Sequence, residues 1–180
     1  MIESLLIIVK YHLKDGIEIE KQKIDEILLE SESLFAFNKA LKYISKSMKT
    51  TYEIENYLLD FKSEVVKNVI EKLTEYKFLN DENYIKTYID FYKEKYGKLK
   101  LKMNLLNKKL DKELIEKYLS YEDDTSLNNI VKEIKKQSKN KQIDLKLKQK
   151  IIRNLSSKGY SFEEIKKGFI LLGEDNESWD

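Results

Sequence analysis

The sequence predicts an all-helical protein, and three features of its composition carry that prediction. Proline is absent from the 180 residues, although an average usage of roughly 5% would give about nine. Glycine occurs 5 times, about half of what its average usage of roughly 7% would give. Hydrophobic residues make up 41% of the chain and charged residues 37%, so a core can form between highly charged outer faces. Because both residues that interrupt helices are scarce, we predict helices along the whole chain.

The composition also excludes most catalytic chemistry. Cysteine is absent and His12 is the single histidine, which excludes disulfides, thiolate zinc sites, cysteine nucleophiles and multi-histidine metal sites. No glycine-rich phosphate-binding loop occurs, so we expect no enzyme and no cofactor. No apolar run approaches the roughly 20 residues of a membrane-spanning helix, and no leader sequence is recognisable. We therefore expect a cytoplasmic protein.

Two lead-in helices are predicted at the beginning of the chain. Ser4 is a suitable N-cap for a first helix, which would end shortly before Gly16 because glycine favours the left-handed position after a helix. A second helix is expected to begin near Glu20. Ser31 and Ser33 loosen its apolar pattern, so we expect it to end there and a further helix to follow.

The later helix starts are marked by side chains that cap helices. Thr50 is followed three residues later by Glu53, which is the spacing of a capping box. Gly97 is expected to end the helix that begins after Asn80. Further starts are predicted at Ser63, Asn80, Asp111, Thr125 or Ser126, Asp144 and Ser161.

Two apolar patterns recur along the chain and indicate an internal repeat. Apolar residues stand at positions i, i+3, i+4 and i+7 counted from Phe37, from Ile85 and from Leu127, at intervals of 48 and 42 residues. A second pattern, with apolar residues five and nine positions after the first, starts at Phe61, Leu110 and Tyr160. None of the short helices can bury its apolar face without neighbours, so the repeats must share a core.

The repeats predict tandem three-helix units in an elongated, curved array. The predicted divisions are lead-in helices in 1–35, a first repeat in 36–79, a second in 80–124, and a third with an acidic tail in 125–180. Such an array presents an extended surface to a partner rather than a deep pocket. An irregular helical bundle with accidental internal similarity is the alternative.

The net charge of +2 conceals two strongly basic segments. Residues 93–109 contain seven lysines and one glutamate, a net charge of +6, and residues 132–153 contain nine basic and two acidic residues, a net charge of +7. The candidate contact residues are Lys93, Lys95, Lys98, Lys100, Lys102, Lys132, Lys135, Lys136, Lys139, Lys141, Lys146, Lys148, Lys150 and Arg153. Each segment joins the end of one helix to the start of the next, so equivalent corners of adjacent repeats could form one basic stripe.

A basic stripe of this kind suits a polyanion or an acidic protein groove, and a solvated lysine-rich surface is the alternative interpretation. Arg153 is the only arginine, and lysine supplies charge without bidentate reading of bases. We therefore expect any DNA contact to be weak and independent of sequence. Tyrosines such as Tyr88 and Tyr92 could stack on unpaired bases, although their helical spacing favours a place in the core.

Four segments of the repeats are distinctive. They are Ala-Leu-Lys-Tyr-Ile at 40–44, Met-Lys-Thr-Thr-Tyr-Glu-Ile at 48–54, Phe-Leu-Asn-Asp-Glu-Asn-Tyr at 78–84 and Leu-Ser-Ser-Lys-Gly-Tyr-Ser-Phe-Glu-Glu-Ile at 155–165. Together they resemble the RecX family, bacterial regulators of the recombinase RecA. The resemblance covers residues 36–172. Lys49-Thr50 stands where the family pattern has Arg-Ser, and Asp81-Glu82 stands where it has two aspartates.

The resemblance implies an all-helical, crescent-shaped array of three-helix repeats with no enzymatic activity of its own. It also implies binding to RecA filaments on single-stranded DNA and inhibition of the RecA ATPase and of strand exchange, with roles in homologous recombination, DNA repair and the SOS response. We expect a monomer that does not associate with membranes. A free-standing single-stranded nucleic-acid-binding array and a plain helical scaffold for another protein are the alternatives.

Overall fold

All regular elements in the described part of the chain are α-helices, which confirms the all-helical prediction. The computed structural model describes residues 2–120, 124–139 and 142–173. Its helices are α1 (Ile2–Lys10), α2 (Lys21–Ile44), α3 (Thr51–Tyr57), α4 (Ser63–Glu75), α5 (Asp81–Tyr92), α6 (Lys98–Asn107), α7 (Lys112–Leu119), α8 (Asp124–Ser138), α9 (Leu145–Ser157) and α10 (Phe162–Leu171). The chain divides into two compact units, Met1–Tyr84 and Ile85–Asp180.

The first unit is built on α2, a single helix of 24 residues. The predicted interruption at Ser31 and Ser33 is therefore wrong. Serine lowers helix propensity only slightly, and the packing of α2 along α4 outweighs that small cost. Ser33 lies inside this contact at 3% exposure. The predicted division between residues 35 and 36 falls within α2 and stays a prediction, as do the other divisions.

The first helix ends earlier than predicted. α1 ends at Lys10, and His12 takes the left-handed conformation, with φ +51, in the position where glycine was expected. The Leu13 N–H donates to the Ile8 carbonyl at 3.0 Å, which satisfies a carbonyl of the last turn. Gly16, at φ +79, belongs to a separate turn.

In α4 the two positions that recur in the repeats, five and nine residues after Phe61, are not the most deeply buried ones. Val65, Val69 and Leu73 are fully buried, whereas Val66 and Ile70 are partly buried against the core. The core of the first unit consists of Ala36, Ala40, Ile54, Leu58, Val65, Val69, Leu73 and Leu79.

The predicted capping box at the start of α3 is confirmed. The Thr50 hydroxyl accepts the Glu53 N–H at 3.2 Å, and the Glu53 carboxylate accepts the Thr50 N–H at 3.0 Å. A third contact comes from the first turn of α5, where the Asp81 carboxylate accepts the Thr51 N–H at 2.8 Å. Asp81 thus satisfies a backbone donor that is left without an intrahelical partner.

Caps also open three helices of the second unit. Asp111, Asp144 and Ser161 each accept the N–H of the residue three positions later, at 2.8, 2.7 and 3.2 Å. The Glu164 carboxylate in turn accepts the Ser161 N–H at 2.7 Å, which completes a capping box. These three predicted starts are confirmed, whereas α8 begins at Asp124, before its predicted caps.

Two glycines join the start of α6 to the turn between α9 and α10. The Gly97 N–H donates to the Lys158 carbonyl at 2.9 Å, and the Leu99 N–H donates to the Gly159 carbonyl at 3.2 Å. Gly97, the N-cap of α6, has no side chain that could accept a hydrogen bond. The carbonyl oxygens of Lys158 and Gly159 therefore accept the N–H groups at the start of α6. This junction ties the first turn of α6 to the turn between α9 and α10. The core beneath the last three helices consists of Ile130, Ile134, Ile151, Leu155, Tyr160, Ile165 and Phe169.

Candidate basic interface

Four predicted contact residues lie on one face of α8 and the turn that follows it. Lys132, Lys135, Lys136 and Lys139 are spaced i, i+3, i+4 and i+7 and are all exposed, whereas Ile134 on the opposite side is fully buried. Within α8 this spacing puts Lys132, Lys135 and Lys136 on one side of the helix, and Lys139 follows in the next turn with φ +52. The four ammonium groups therefore form a cationic face on α8, which we call the α8 face.

A second cationic face lies on α9 and is formed by Lys146, Lys150 and Arg153, spaced i, i+4 and i+7. All three side chains are exposed. The opposite side of α9 carries Ile151 and Leu155, which are fully buried. We call the three basic residues the α9 face.

Lys148 does not belong to this exposed surface, and its predicted place there is corrected. Its side chain is 6% exposed, and its ammonium nitrogen lies 5.7 Å from the centroid of the Phe169 ring. The cause is its position on α9, one residue after the partly buried Leu147 and three before the buried Ile151, so its aliphatic stem packs inward. Lys141, another predicted contact residue, lies outside the described residues.

The first basic segment is partly used in contacts within the protein. Lys93 bonds to Asp90 at 2.9 Å, and Lys102 bonds to Glu116 of α7. The Glu116 pKa is lowered by the hydrogen bond from Lys102. Lys98 is half-buried. This segment therefore offers less free positive charge than its sequence indicates.

The structure brings the two basic segments together at the C-terminal end of α9. The Lys100 ammonium donates to the Ser157 carbonyl at 3.0 Å. Ser157 follows Lys150 by seven residues and Arg153 by four, so it continues the α9 face. Lys100 therefore extends that face by one cation, and a cation is favourable at the C-terminal end of a helix.

Polar contacts fix α8 beside α9. The Lys158 ammonium donates to the Glu133 carboxylate at 2.7 Å, and the Gln137 amide donates to Asn154 at 3.1 Å. The hydrogen bond from Lys158 lowers the pKa of the Glu133 carboxyl against the opposing effect of partial burial. Lys136 adds a more distant contact to the same carboxylate at 3.9 Å. The two cationic faces are consequently carried by helices that are tied together.

A chain of aromatic rings beside Lys100 was only partly anticipated from the sequence. The Tyr92 ring centroid lies 4.6 Å from that of Tyr88, 4.8 Å from that of Phe91 and 5.8 Å from that of Tyr96. Phe91 is 75% exposed, and sequence reasoning did not single it out. The available signal was the i, i+4, i+8 spacing of the three tyrosines next to a lysine-rich segment.

The described residues contain no cluster of three or more histidine, cysteine, aspartate or glutamate side chains with the geometry to hold a metal ion. Among the same residues, no helix combines the length and the apolar character that crossing a bilayer requires.

Comparisons with known proteins agree on one family. A family model described as the first three-helix domain of RecX matches residues 36–73, and one described as the third three-helix domain of RecX matches residues 123–168. A regulatory protein RecX of Halalkalibacterium halodurans is 30% identical over 97% of this chain and 69% of its own length. The regulatory protein RecX of Bacillus subtilis is 33% identical over 95% of this chain and 67% of its own length.

Solved structures show the same fold. A crystal structure of regulatory protein RecX matches with a TM-score of 0.77 at 20% identity and covers 94% of this chain and 86% of that one. A crystal structure of RecX from Lactobacillus salivarius matches with a TM-score of 0.72 at 26% identity and covers 79% of this chain and 97% of that one. With three-helix domains, a matching fold and relatives at 30% identity or more over most of their length, the chain belongs to the RecX family of regulatory proteins.

Proposed function

We propose that this protein binds RecA filaments on single-stranded DNA and lowers the ATPase and strand-exchange activity of RecA. Its membership of the RecX family carries the proposal, because regulation of RecA is what that resemblance implies. The proposed activity belongs to DNA repair by homologous recombination. The protein would act by binding alone, without chemistry of its own.

The α8 and α9 faces support a partner with dense negative charge. Their exposed basic residues lie on the outer sides of two helices, where they can approach an extended polyanion without rearrangement of the core. Lysine dominates both faces, so the contacts would be made to phosphates or carboxylates and would be independent of base sequence. A filament on single-stranded DNA offers such groups along its length.

Inhibition follows if the bound protein favours one filament state over another. A ligand shifts such an equilibrium only by the difference between its affinities for the two states. The protein would therefore bind the slowly hydrolysing or dissociating filament more tightly, or occupy the place that a second DNA needs. Either route lowers ATP turnover without any catalytic residue in the regulator.

The test is ATP hydrolysis by RecA on single-stranded DNA, measured with increasing amounts of the full chain. We expect inhibition, and we expect Lys135→Gln, Lys136→Gln and Lys139→Gln together to raise the half-inhibitory concentration about tenfold, since each exposed charge contact contributes up to ~1 kcal/mol. The matched control neutralises Lys14, Lys21 and Lys62, which are exposed in the first unit, and should change little. Unchanged hydrolysis at saturating, demonstrated binding would refute the regulatory proposal.

A free-standing nucleic-acid-binding function is the second candidate, and the two cationic faces favour it. It predicts single-strand binding without RecA that weakens steeply with salt. The logarithmic salt slope should flatten by roughly 2 when three phosphate contacts on α8 are neutralised, since each contributes about 0.7 for single strands. Strong binding of this kind, combined with no effect on RecA, would favour the second candidate.

A further inference from the structure

Four aromatic rings near the α9 face form a chain of ring contacts in the second unit, and Phe91 is the exposed member of that chain. Phe91 and Tyr92 pack edge to face at an interplanar angle of 80°, and Tyr92 and Tyr96 lie closer to parallel at 28°. The three tyrosines are half-buried, whereas Phe91 projects from α5 with 75% of its surface exposed. A single exposed apolar side chain is common on proteins, so the groups around the Phe91 ring decide whether it belongs to a binding surface.

Lysines surround the end of the aromatic chain. The ammonium groups of Lys95 and Lys100 lie 5.1 and 5.0 Å from the centroid of the Tyr96 ring, within the range of cation–π attraction. Lys95 lies in the turn that follows α5 and its side chain is exposed. Lys100 is held in place by its bond to Ser157, so at least one of the two cations has a defined position.

The positive charge continues beyond Lys100 onto the α9 face, where Arg153 and Lys150 lie one and two turns before Ser157. The surface consequently presents the exposed Phe91 ring and the half-buried tyrosines at one end and a row of cations at the other. Both parts belong to the same compact unit, and the junction of Gly97 with Lys158 links them directly.

The ligand whose chemistry fits both parts is a strand with phosphates along its backbone and flat, unpaired bases. Stacking of an unpaired base on an aromatic ring contributes about 1–3 kcal/mol, and it does not depend on base identity. A duplex keeps its base faces inside the stack, so it can use the cations but not the rings. An acidic protein surface would likewise leave the rings without a matching group.

We propose that Phe91, Tyr92, Tyr96, Lys95 and Lys100, which we call the Phe91 surface, bind unpaired bases and adjacent phosphates of a single strand. The second unit would thereby distinguish single-stranded from double-stranded nucleic acid. The inference rests on the proposed function in one respect, since it takes the single strand of the filament as the natural ligand. Direct binding in the absence of RecA tests it separately.

The experiment measures fluorescence anisotropy of labelled oligothymidine, alone and annealed to oligoadenine, with the full chain and no RecA. The unmodified protein should bind the single strand more tightly than the duplex. Phe91→Ala should weaken single-strand binding about 5-fold or more, the equivalent of at least ~1 kcal/mol, with the salt slope and duplex binding unchanged. Phe91→Tyr keeps a ring face and should restore most of the affinity.

Two further variants separate stacking from charge and from general effects of substitution. Lys95→Gln should weaken binding of both nucleic acids and flatten the salt dependence of each. Phe78→Ala removes a ring that is 52% exposed in the first unit and should leave both affinities unchanged. Circular dichroism of Phe91→Ala should match that of the unmodified protein, because the lost side chain is mostly outside the core.

The inference is overturned if Phe91→Ala binds the single strand as well as the unmodified protein does, or if it loses affinity for the duplex equally. It is also overturned if Phe91→Ala binds the oligonucleotides normally but no longer inhibits RecA, since the surface would then contact protein. That last result would leave the proposed regulation of RecA intact. A failure of the unmodified chain to affect RecA would refute the regulation and leave the oligonucleotide result to stand by itself.

Discussion

Gly97 and Gly159 face each other so closely that neither position has room for a side chain. A Cβ placed on Gly97 would lie 2.2 Å from the Gly159 carbonyl oxygen, and a Cβ on Gly159 would lie 2.3 Å from the Lys100 Cβ. The atoms in the way are backbone and the root of a side chain, which cannot move aside without shifting a helix. This contact positions Lys100 at the end of α9.

Gly159→Ala should therefore destabilise the protein more than backbone strain alone explains. Gly159 and Gly173 both have positive φ, +88 and +73, but a Cβ on Gly173 meets nothing within 4 Å. Gly173→Ala thus measures the cost of the left-handed conformation, ~1–2 kcal/mol, and Gly159→Ala adds overpacking of about 1–3 kcal/mol. Urea unfolding followed by circular dichroism gives both values. Equal losses would show that the close contact is not restrictive.

Asp81→Ala should lower the stability of the first unit by about 0.5–2 kcal/mol. The reason is that the Thr51 N–H at the start of α3 would lose its acceptor, the Asp81 carboxylate. Asp81→Asn keeps a side-chain oxygen and should lose less. Asp60→Ala, at an exposed position in the same unit, is the control. Chemical unfolding compares the three variants, and an Asn variant as unstable as the Ala variant would argue that charge rather than capping is responsible.

The Glu133 and Lys158 pair should make stability depend on pH in the acidic range. The hydrogen bond from Lys158 lowers the pKa of Glu133 in the folded protein, so its contribution is present above the ordinary glutamate pKa. That contribution is lost as the pH falls through the folded-state pKa. Glu133→Gln should flatten the acidic limb of the stability profile, measured by urea midpoints at several pH values. Glu163→Gln, an exposed change on α10, should leave the profile as it is.

Lys148 and Lys150 are only two residues apart on α9, but substituting them should have different effects. Loss of Lys148 should lower stability, and loss of Lys150 should weaken binding. Lys148→Ala removes a buried side chain and its contact with the Phe169 ring, and should destabilise the protein by about 1–3 kcal/mol. Lys150→Ala, at an exposed position on the α9 face, should leave stability within about 0.5 kcal/mol and weaken binding to single-stranded DNA. If Lys150→Ala lowered stability and Lys148→Ala weakened binding instead, the buried side of α9 would be wrongly identified.

Local sequence signals located most helices because the signals and their effects lie in the same turn. Thr50 with Glu53, and Asp111, Asp144 and Ser161, cap the helices at which they were predicted. The interruption predicted at Ser33 was wrong because it depends on packing between two helices. Ser33 did not end α2, since the packing of α2 on α4 exceeds the small preference of serine for a break.

The sequence likewise predicted only part of the candidate interface. Periodicity alone places Lys132, Lys135 and Lys136 on one side of α8, and the structure has all three exposed. Charge counting could not separate Lys148 from Lys150, because counting takes no account of which side of α9 faces the core. It also could not show that Lys102 is paired with Glu116 on another helix.

The sequence by itself determined the all-helical fold, the capped starts of α3, α7, α9 and α10, and the concentration of positive charge in two segments. Composition, capping and periodicity all act within a few residues. Only the tertiary structure decided that Lys100 reaches Ser157, that Phe91 stays exposed beside the tyrosines and that Lys148 turns inward. Those outcomes depend on how helices far apart in the chain pack. The contact of Gly97 with Gly159, which joins residues 62 positions apart, is the physical reason that the two basic segments meet.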